Sequence, residues 1–393
     1  MRSESLEFRI PIYQLLIILC VTVVPISFAG LYGLVQSDRS LEATIGSHFN
    51  AIAGSTAAEV SQFIHERVID VGLLAAEPLV VEAAASANKS YLGMNDAAIA
   101  AKIEKIDKAW NTPAADPFVN EMLSSRVSRW LRRFHELDPR ILRITVTDAK
   151  GATIAATHKT WDYFQADEEY WQNIYAQGRG ALSLTDILYD EVTKANYIGI
   201  GVPVVEEGSN RFIGTMDVLV DVSAVSAVAY RSPIAPTARI QLVKDDGTVI
   251  AAPQVTLSMK LKSDEYAAVR DSMSTLTERQ TGYIVARFRG GGSQLIGFAD
   301  TGLKQYYRNL GWVVLVCQDT NQAFTAVRLV DRVISFVSVL GLAMVTLLVA
   351  YFALHRKLPF AEIGELAHEP SPQSDREAAI PRDESGKGSE NNP

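Results

Sequence analysis

The stretch ILRITVTDAKGATIAATH, residues 141–158, decides how the chain is read. Before Ile141 the apolar residues recur every three or four positions, and from Ile141 they alternate, so the period changes from 3.6 to 2. Two β-rich runs are joined by Asp148-Ala149-Lys150-Gly151, where glycine can supply the positive φ of a tight hairpin. The same device returns in ARIQLVKDDGTVIAAP, residues 238–253. Strand, Asp-Gly hairpin and strand thus occur twice, and the chain is read as two similar units in tandem.

Downstream of the first hairpin, DEEYWQNIYAQG (167–178) reads as a helix closed by Gly178. Strand candidates ALSLTDILY, ANYIGIGVPVV and FIGTMDVLVDV follow, the last two separated by the turn Glu207-Gly208-Ser209-Asn210. After the second hairpin come the helical SDEYAAVRDSMS and the strands YIVARFRGGGSQLIGFADT and GWVVLVCQDT. Several antiparallel strands with helices gathered to one side make each unit α+β. Arg289-Gly290-Gly291-Gly292-Ser293 lies between strands as a hairpin tip and lacks the helix that a phosphate cradle requires.

Upstream, Leu41, Ile45, Phe49, Ile52, Val60, Ile64, Val68 and Val71 repeat at helical steps, which predicts one long helix to Ala75. Its stripe, mixed with Ala, Gly, Ser and Thr, can pack on its own domain, on a second copy, or on both. Further helices run to about Leu137. In FVNEMLSSRVSRWLRRFHEL, Met122, Val127, Trp130, Leu131 and Phe134 share an apolar surface, while Arg126, Arg129, Arg132 and Arg133 form a solvated face.

Two uncharged runs bracket these units, Ile10–Gln36 and Val333–Leu354, each long enough to cross a bilayer. Arg2 and Arg9 before the first, and Arg356 and Lys357 after the second, place both termini in the cytoplasm by the positive-inside rule. The first run is longer than a signal-peptide core, so it reads as an anchor even though Ser27-Phe28-Ala29 offers small residues for cleavage. The expected order is therefore an N-terminal segment 1–9, a span 10–36, a long helix 37–75, a membrane-distal unit 76–235 and a membrane-proximal unit 236–330. A second span, 333–354, and a tail, 355–393, complete it. That tail is rich in Pro, Ser, Gly, Glu and Asp and reads as disordered beyond KLPFAEIGELAH.

Composition removes several classes of function. The 393 residues are 48% hydrophobic with a formal charge of −8, which gives no reason to expect a nucleic-acid partner. Cys20 and Cys317 are too few for a disulfide framework. No nucleophile elbow, zinc-helix motif, phosphate loop or close Cys/His spacing appears, so neither catalysis, metal nor cofactor is expected.

The order of a span, a long helix, two α+β units with Gly hairpins and a second span resembles the double Cache family of PAS-like extracytoplasmic sensors. The local match is ILRITVTDAKGATIAA, a helix carrying Tyr170-Trp171, YIGIGVPV and FIGTMDVLVDV. The resemblance implies a bacterial inner-membrane sensor, a homodimer, whose distal unit binds a small ligand and which signals to a separate partner. It implies that Trp171 lines the pocket with Tyr163, Tyr170 and Tyr175 near it, and that Tyr189 and Asp190 contact the ligand, with Asp186 close by. Amino-acid-binding members carry an arginine two positions before the tryptophan, where this chain has Glu169. Asp217 interrupts a strand, where a buried carboxylate requires a cationic partner, a hydrogen-bond network or a cavity edge. Acids with aromatic rings suit an amine first. An amino acid comes second, with Lys159, Arg179 or Lys194 supplying the missing charge. Two rivals stand beside this reading. A structural or assembly protein would bury Trp171 and Tyr189 together, and a membrane-anchored enzyme would pair acids such as Asp186 and Asp190.

Overall fold

The computed structural model describes residues 12–190, 195–230, 237–274, 281–288, 292–323 and 325–354. Arg2, Arg9, Lys194, Arg289-Gly290-Gly291, Arg356, Lys357, the expected tail and the boundary at 235/236 lie outside the described residues. The chain forms two units, one of residues 1–32 with 333–393 and the other of residues 33–332.

In the first unit, the beginning of α1 (Ile12–Ala75) lies beside α10 (Thr325–Leu354). Small residues let them approach: a Cβ on Gly30 would stand 3.1 Å from Ser338 Oγ, and one on Gly341 would stand 3.2 Å from Val23. Ser27 and Ser338 are buried between the helices, where small side chains allow the two backbones to come close. Arg332–Tyr351, with a mean hydropathy of 2.6, is long and apolar enough to cross a membrane. The sequence leads one to expect two such helices. Within the described residues, the apolar stretch of α1 is the shorter Ile17–Gly33, which contains Pro25.

The second unit is α+β, as the change of period predicts. After α1 come α2 (Pro78–Lys89), α3 (Asp96–Ala109), α4 (Asp116–Ser124) and α5 (Arg126–Leu137). The first sheet follows as β1 (Ile141–Asp148), β2 (Thr153–Ala156), β3 (Ser183–Leu184), β4 (Leu188–Tyr189), β5 (Asn196–Val205) and β6 (Phe212–Asp221). Helix α6 (Glu169–Tyr175) interrupts it after β2, and α7 (Ser223–Ser226) closes it. The order is β2-β1-β6-β5-β3, with β4 also on β5, and every pairing is antiparallel. The run ALSLTDILY supplies only the two-residue β3 and β4; between them Thr185 still donates its N–H to the Gly199 carbonyl at 2.9 Å, but the Ile187 N–H turns to Asp186 Oδ1 at 2.7 Å.

The second sheet comprises β7 (Arg239–Lys244), β8 (Val249–Ala252), β9 (Val255–Thr256), β10 (Thr281–Arg287), β11 (Ser293–Asp300) and β12 (Trp312–Asp319). Helix α8 (Asp264–Ser274) precedes β10, and the short α9 (Thr320–Ala323) follows β12. The order β10-β11-β12-β7-β8-β9 repeats the plan of the first sheet, with the hairpin strands at one side and the last long strand beside the first. Both hairpins turn on glycines with left-handed φ, Gly151 at 84° and Gly247 at 85°.

A single core joins the two sheets to α1. Phe49, Ala53, Ala57, Val60 and Ile64 form its buried stripe. One face of the first sheet meets it through Ile144, Val146, Met216, Val218, Ile198 and Ile200, and one face of the second through Leu242, Leu295, Val314 and Val316. The closest approach is backbone to backbone, since a Cβ on Gly297 would lie 2.5 Å from the Phe49 carbonyl carbon. Each sheet's opposite face is left to α6 or α8 and the segments beside them.

Gly297→Ala is expected to force α1 off β11 and lower stability by about 1–3 kcal/mol. Gly54→Ala, on a stretch of α1 where a Cβ meets nothing within 4 Å, is expected to raise stability by about 0.5–1 kcal/mol through helix propensity. Thermal or urea unfolding of the two variants checks both signs.

Candidate functional site

On the face of the first sheet turned away from α1, three strands present polar or small residues side by side. Alternation along β1 places Arg143, Thr145 and Thr147 on this face, and register sets Thr145 opposite Asp217 and Thr147 opposite Thr215. On β5, Gly201 stands opposite Asp217. The absence of a side chain there admits α6, because a Cβ on Gly201 would stand 2.3 Å from Ile174 Cδ1.

The aromatic pair at the start of α6 divides its work. Trp171 is buried, and its indole N–H donates to Thr147 Oγ1 at 2.9 Å, which in turn shares a 2.8 Å hydrogen bond with Thr215 Oγ1. Tyr175 stacks on its ring at 4.9 Å and Phe212 meets its edge at 6.3 Å. Trp171 therefore anchors α6 to the sheet. Tyr170 turns toward the charges: its hydroxyl donates to Gln165 Oε1 at 2.5 Å, and Gln165 Nε2 donates to the Asp162 carbonyl at 3.0 Å. Burial, then the charge of Asp217, pushes the Tyr170 phenol up, and it remains neutral.

Asp217 is 5% exposed in the middle of β6. Its cationic neighbour is Arg143, with Nη2 at 3.9 Å from Oδ2, close enough for attraction yet too long for a direct hydrogen bond. Burial pushes the Asp217 carboxyl up to about 6 against the opposing pull of Arg143. Arg143 Nε and Thr145 Oγ1 are both buried without hydrogen-bond partners. Buried polar atoms are normally satisfied, so two orphans beside an imperfectly paired carboxylate set this place apart from the rest of the sheet.

The remaining expected residues lie elsewhere. Tyr163 packs with Trp110 at 5.3 Å and Phe118 at 5.6 Å in a separate core under α3 and α4. Glu169 is exposed at the first residue of α6. Tyr189 packs on the α1 face of the sheet, opposite the face that holds Trp171 and Asp217, so the two aromatic residues are not buried together. Asp186 faces the second sheet, accepting from Lys244 Nζ at 2.6 Å and Trp312 Nε1 at 3.0 Å. The Asp190 N–H donates to the Ala195 carbonyl at 2.9 Å just past β4. Lys159 lies over the Trp110 ring at 5.7 Å, and Arg179 Nε donates to the Ala176 carbonyl at 3.3 Å. The structure thus brings together Tyr170, Trp171 and Asp217, and adds Arg143, Thr145 and Thr147. A charged residue in mid-strand, alternating with two threonines, was the signal in the sequence for Arg143.

Two clefts open elsewhere in this unit. One of about 530 Å³ includes Asp96, Ile103, Lys150 and Phe164, and one of about 490 Å³ includes Arg67, Leu73, Trp130 and Leu137. Among the described residues, no group of three or more His, Cys, Asp or Glu is placed to hold a metal.

No family model and no curated protein matches the chain. Among solved structures it is similar to the ligand-binding domain of the Campylobacter jejuni chemoreceptor Tlp3 in complex with 4-methylisoleucine, at 11% identity over 72% of this chain and 94% of that one, with a TM-score of 0.46. It is also similar to the ligand-binding domain of the Pseudomonas aeruginosa PAO1 amino acid chemoreceptor PctC in complex with GABA (14%, 70% and 100%, 0.44). A third is that of PctB from the same organism in complex with L-Arg (13%, 71% and 97%, 0.40).

Asp217 makes stability depend on pH. Its folded carboxyl holds a proton that the unfolded chain has already released, so its contribution is greatest below the usual carboxylate range and is lost as pH rises through about 6. Asp217→Asn is expected to raise the stability of the ligand-free chain at pH 8 by on the order of 1–3 kcal/mol. Urea unfolding at several pH values should show that gain shrinking toward pH 4.

Proposed function

We propose that the chain is a membrane-anchored extracytoplasmic sensor of the double Cache type, and that its distal unit holds a small polar ligand beneath α6. The observation that carries this reading is the set on β1 and β6: Asp217 buried at 3.9 Å from Arg143, with Arg143 Nε and Thr145 Oγ1 unpartnered. A ligand with opposite charges would complete it, its ammonium group on Asp217 and its carboxylate on the Arg143 guanidinium, which reads carboxylates in two-pronged fashion. An α-amino acid has that chemistry. From the sequence alone an amine comes first, because the position two before Trp171 holds Glu169; Arg143 on β1 supplies the missing cation and reverses that order. The amine remains a specific second reading, resting on Asp217 and the neighbouring Tyr170 ring.

In this proposal, α1 and α10 anchor the unit as two spans with both termini cytoplasmic, and the receptor is a homodimer that reports to a separate signalling partner. The dimer is supported by Ile69 and Leu73, which remain 61% and 68% exposed on α1. Ligand binding shifts the helices only to the extent that the ligand prefers one of their arrangements.

The test is thermal unfolding of the full chain in detergent micelles with amino acids, amines and small carboxylates. A ligand at a hundred times its dissociation constant stabilises the folded state by about 2.7 kcal/mol. Amino acids are expected to raise the melting temperature of the parent chain. Arg143→Gln is expected to abolish that response while sparing any response to amines, and Asp217→Asn to abolish both. Trp171→Ala, which releases α6, should lower the unliganded melting temperature as well as the response. If no compound shifts the parent chain, weight passes to an extracytoplasmic domain that grips another protein.

A further inference from the structure

The second sheet carries its own version of the charged set. Arg239 stands eight residues before the hairpin glycine Gly247, as Arg143 stands eight residues before Gly151. Strands β1 and β7 hold the same place, between the short hairpin strand and the long last strand. In each sheet the arginine points away from the α1 core toward the helix that follows the hairpin. The two sites differ in the source of their anion. Thr145 faces Asp217 in the first sheet, whereas the corresponding Gln241 faces Leu315 in the second. Helix α6 places no carboxylate against Arg143, since Glu168 and Glu169 are exposed. Helix α8 does: Glu265 forms an ion pair with Arg239 Nη2.

The carboxylate of Glu265 lies in a finished site. Its Oε2 accepts from Ser263 Oγ at 3.1 Å, and Ser263 Oγ is also 2.9 Å from Gln241 Oε1. Arg239 Nη2 also donates to Gln294 Oε1 at 3.2 Å, and Cys317, fully buried, stands opposite Arg239 on β12. None of these polar side chains leaves a buried atom unpartnered, unlike Arg143 and Thr145 in the distal unit. Burial pushes the Glu265 carboxyl up, but a backbone hydrogen bond and Arg239 outweigh it and hold the group below its ordinary range.

We propose that the membrane-proximal unit is a second carboxylate-binding site on the same plan, and that its ligand is the chain's own Glu265. In the distal unit α6 brings no carboxylate to Arg143 and an external one would have to supply it, whereas in the proximal unit the helix carries its own carboxylate to Arg239. With the internal carboxylate removed, the site would take a small free carboxylate. This inference rests on the geometry around Arg239 and stands whether or not the distal unit binds an amino acid.

The probe is acetate, titrated against the full chain in detergent micelles with melting temperature as the readout and sodium chloride at equal ionic strength as the control. Glu265→Ala is expected to melt several degrees below the parent, and acetate is expected to restore about half or more of that loss. Chloride should restore none, and the parent should not respond to the same degree. Glu265→Gln, whose amide still fills the space, is expected to melt lower than the parent and gain no acetate response. Adding Arg239→Gln to Glu265→Ala should remove the rescue. The proposal is overturned if acetate raises Glu265→Ala no more than it raises the parent, whether or not that variant folds without acetate, or if rescue survives the loss of Arg239.

Discussion

Both sheets close on one helical stripe, and the approach is so near that part of it is backbone on backbone. Phe49 and Asn50 lie against Gly297, and the Tyr283 ring occupies the space where a Cβ on Gly46 would stand. Dense packing of this kind leaves little room for a charged side chain on the α1 face, which is filled mainly by Ile, Val, Leu and Met from six long strands. Every charged residue in mid-strand must therefore point the other way, toward α6 or α8. The position of the candidate site follows from that exclusion: Arg143 and Asp217 could not be accommodated on the α1 face, and alternation carries them to the opposite one.

The same unit shows how the sheets are tied to each other apart from α1. Asp186, between β3 and β4, accepts from Lys244 at the end of β7 and from Trp312 at the start of β12. Lys244 also donates to the Ile187 carbonyl at 3.1 Å, and Asn309 Nδ2 donates to the Leu184 carbonyl at 2.9 Å. The irregular stretch between β3 and β4 is thus held by the second sheet. Those contacts are few, directional and partly buried. Along the chain, β12 leads into α9 and α10.

The elements carried by local chemistry were legible in the sequence. Alternation with a hairpin glycine located β1–β2 and β7–β8, and helical spacing located the α1 stripe from Phe49 to Val71. What remained hidden depends on register between distant strands. Asp217 announced itself as a costly residue in mid-strand, but its neighbour Arg143 lies far away in sequence and becomes visible only when β1 and β6 pair. The family resemblance puts Tyr189, with Asp186 close by, near a ligand because they follow α6. The short β4 turns Tyr189 to the apolar face, and Asp186 is taken up by residues of the other sheet, 58 and 126 positions away. Trp171 was legible as an aromatic residue of consequence, whereas its hydrogen bond to Thr147 required the packed helix.

The two sheets together separate what the fold requires from what it merely tolerates. Hairpin glycines, the α1 contact and strand order occur in both and belong to the architecture. An arginine on the strand before each hairpin also occurs in both, but a buried strand carboxylate occurs only in the first, where the second has Leu315. The fold is therefore built equally well with an apolar residue at that place, which avoids the desolvation that raises the Asp217 carboxyl to about 6. A residue that weakens its own strand, breaks the apolar pattern and leaves its cation 3.9 Å away is a local conflict in an otherwise consistent sequence. Such conflicts are not explained by the fold alone, and here the conflict lies on the face of the first sheet that α6 covers, near enough to Tyr170 for its charge to raise that phenol.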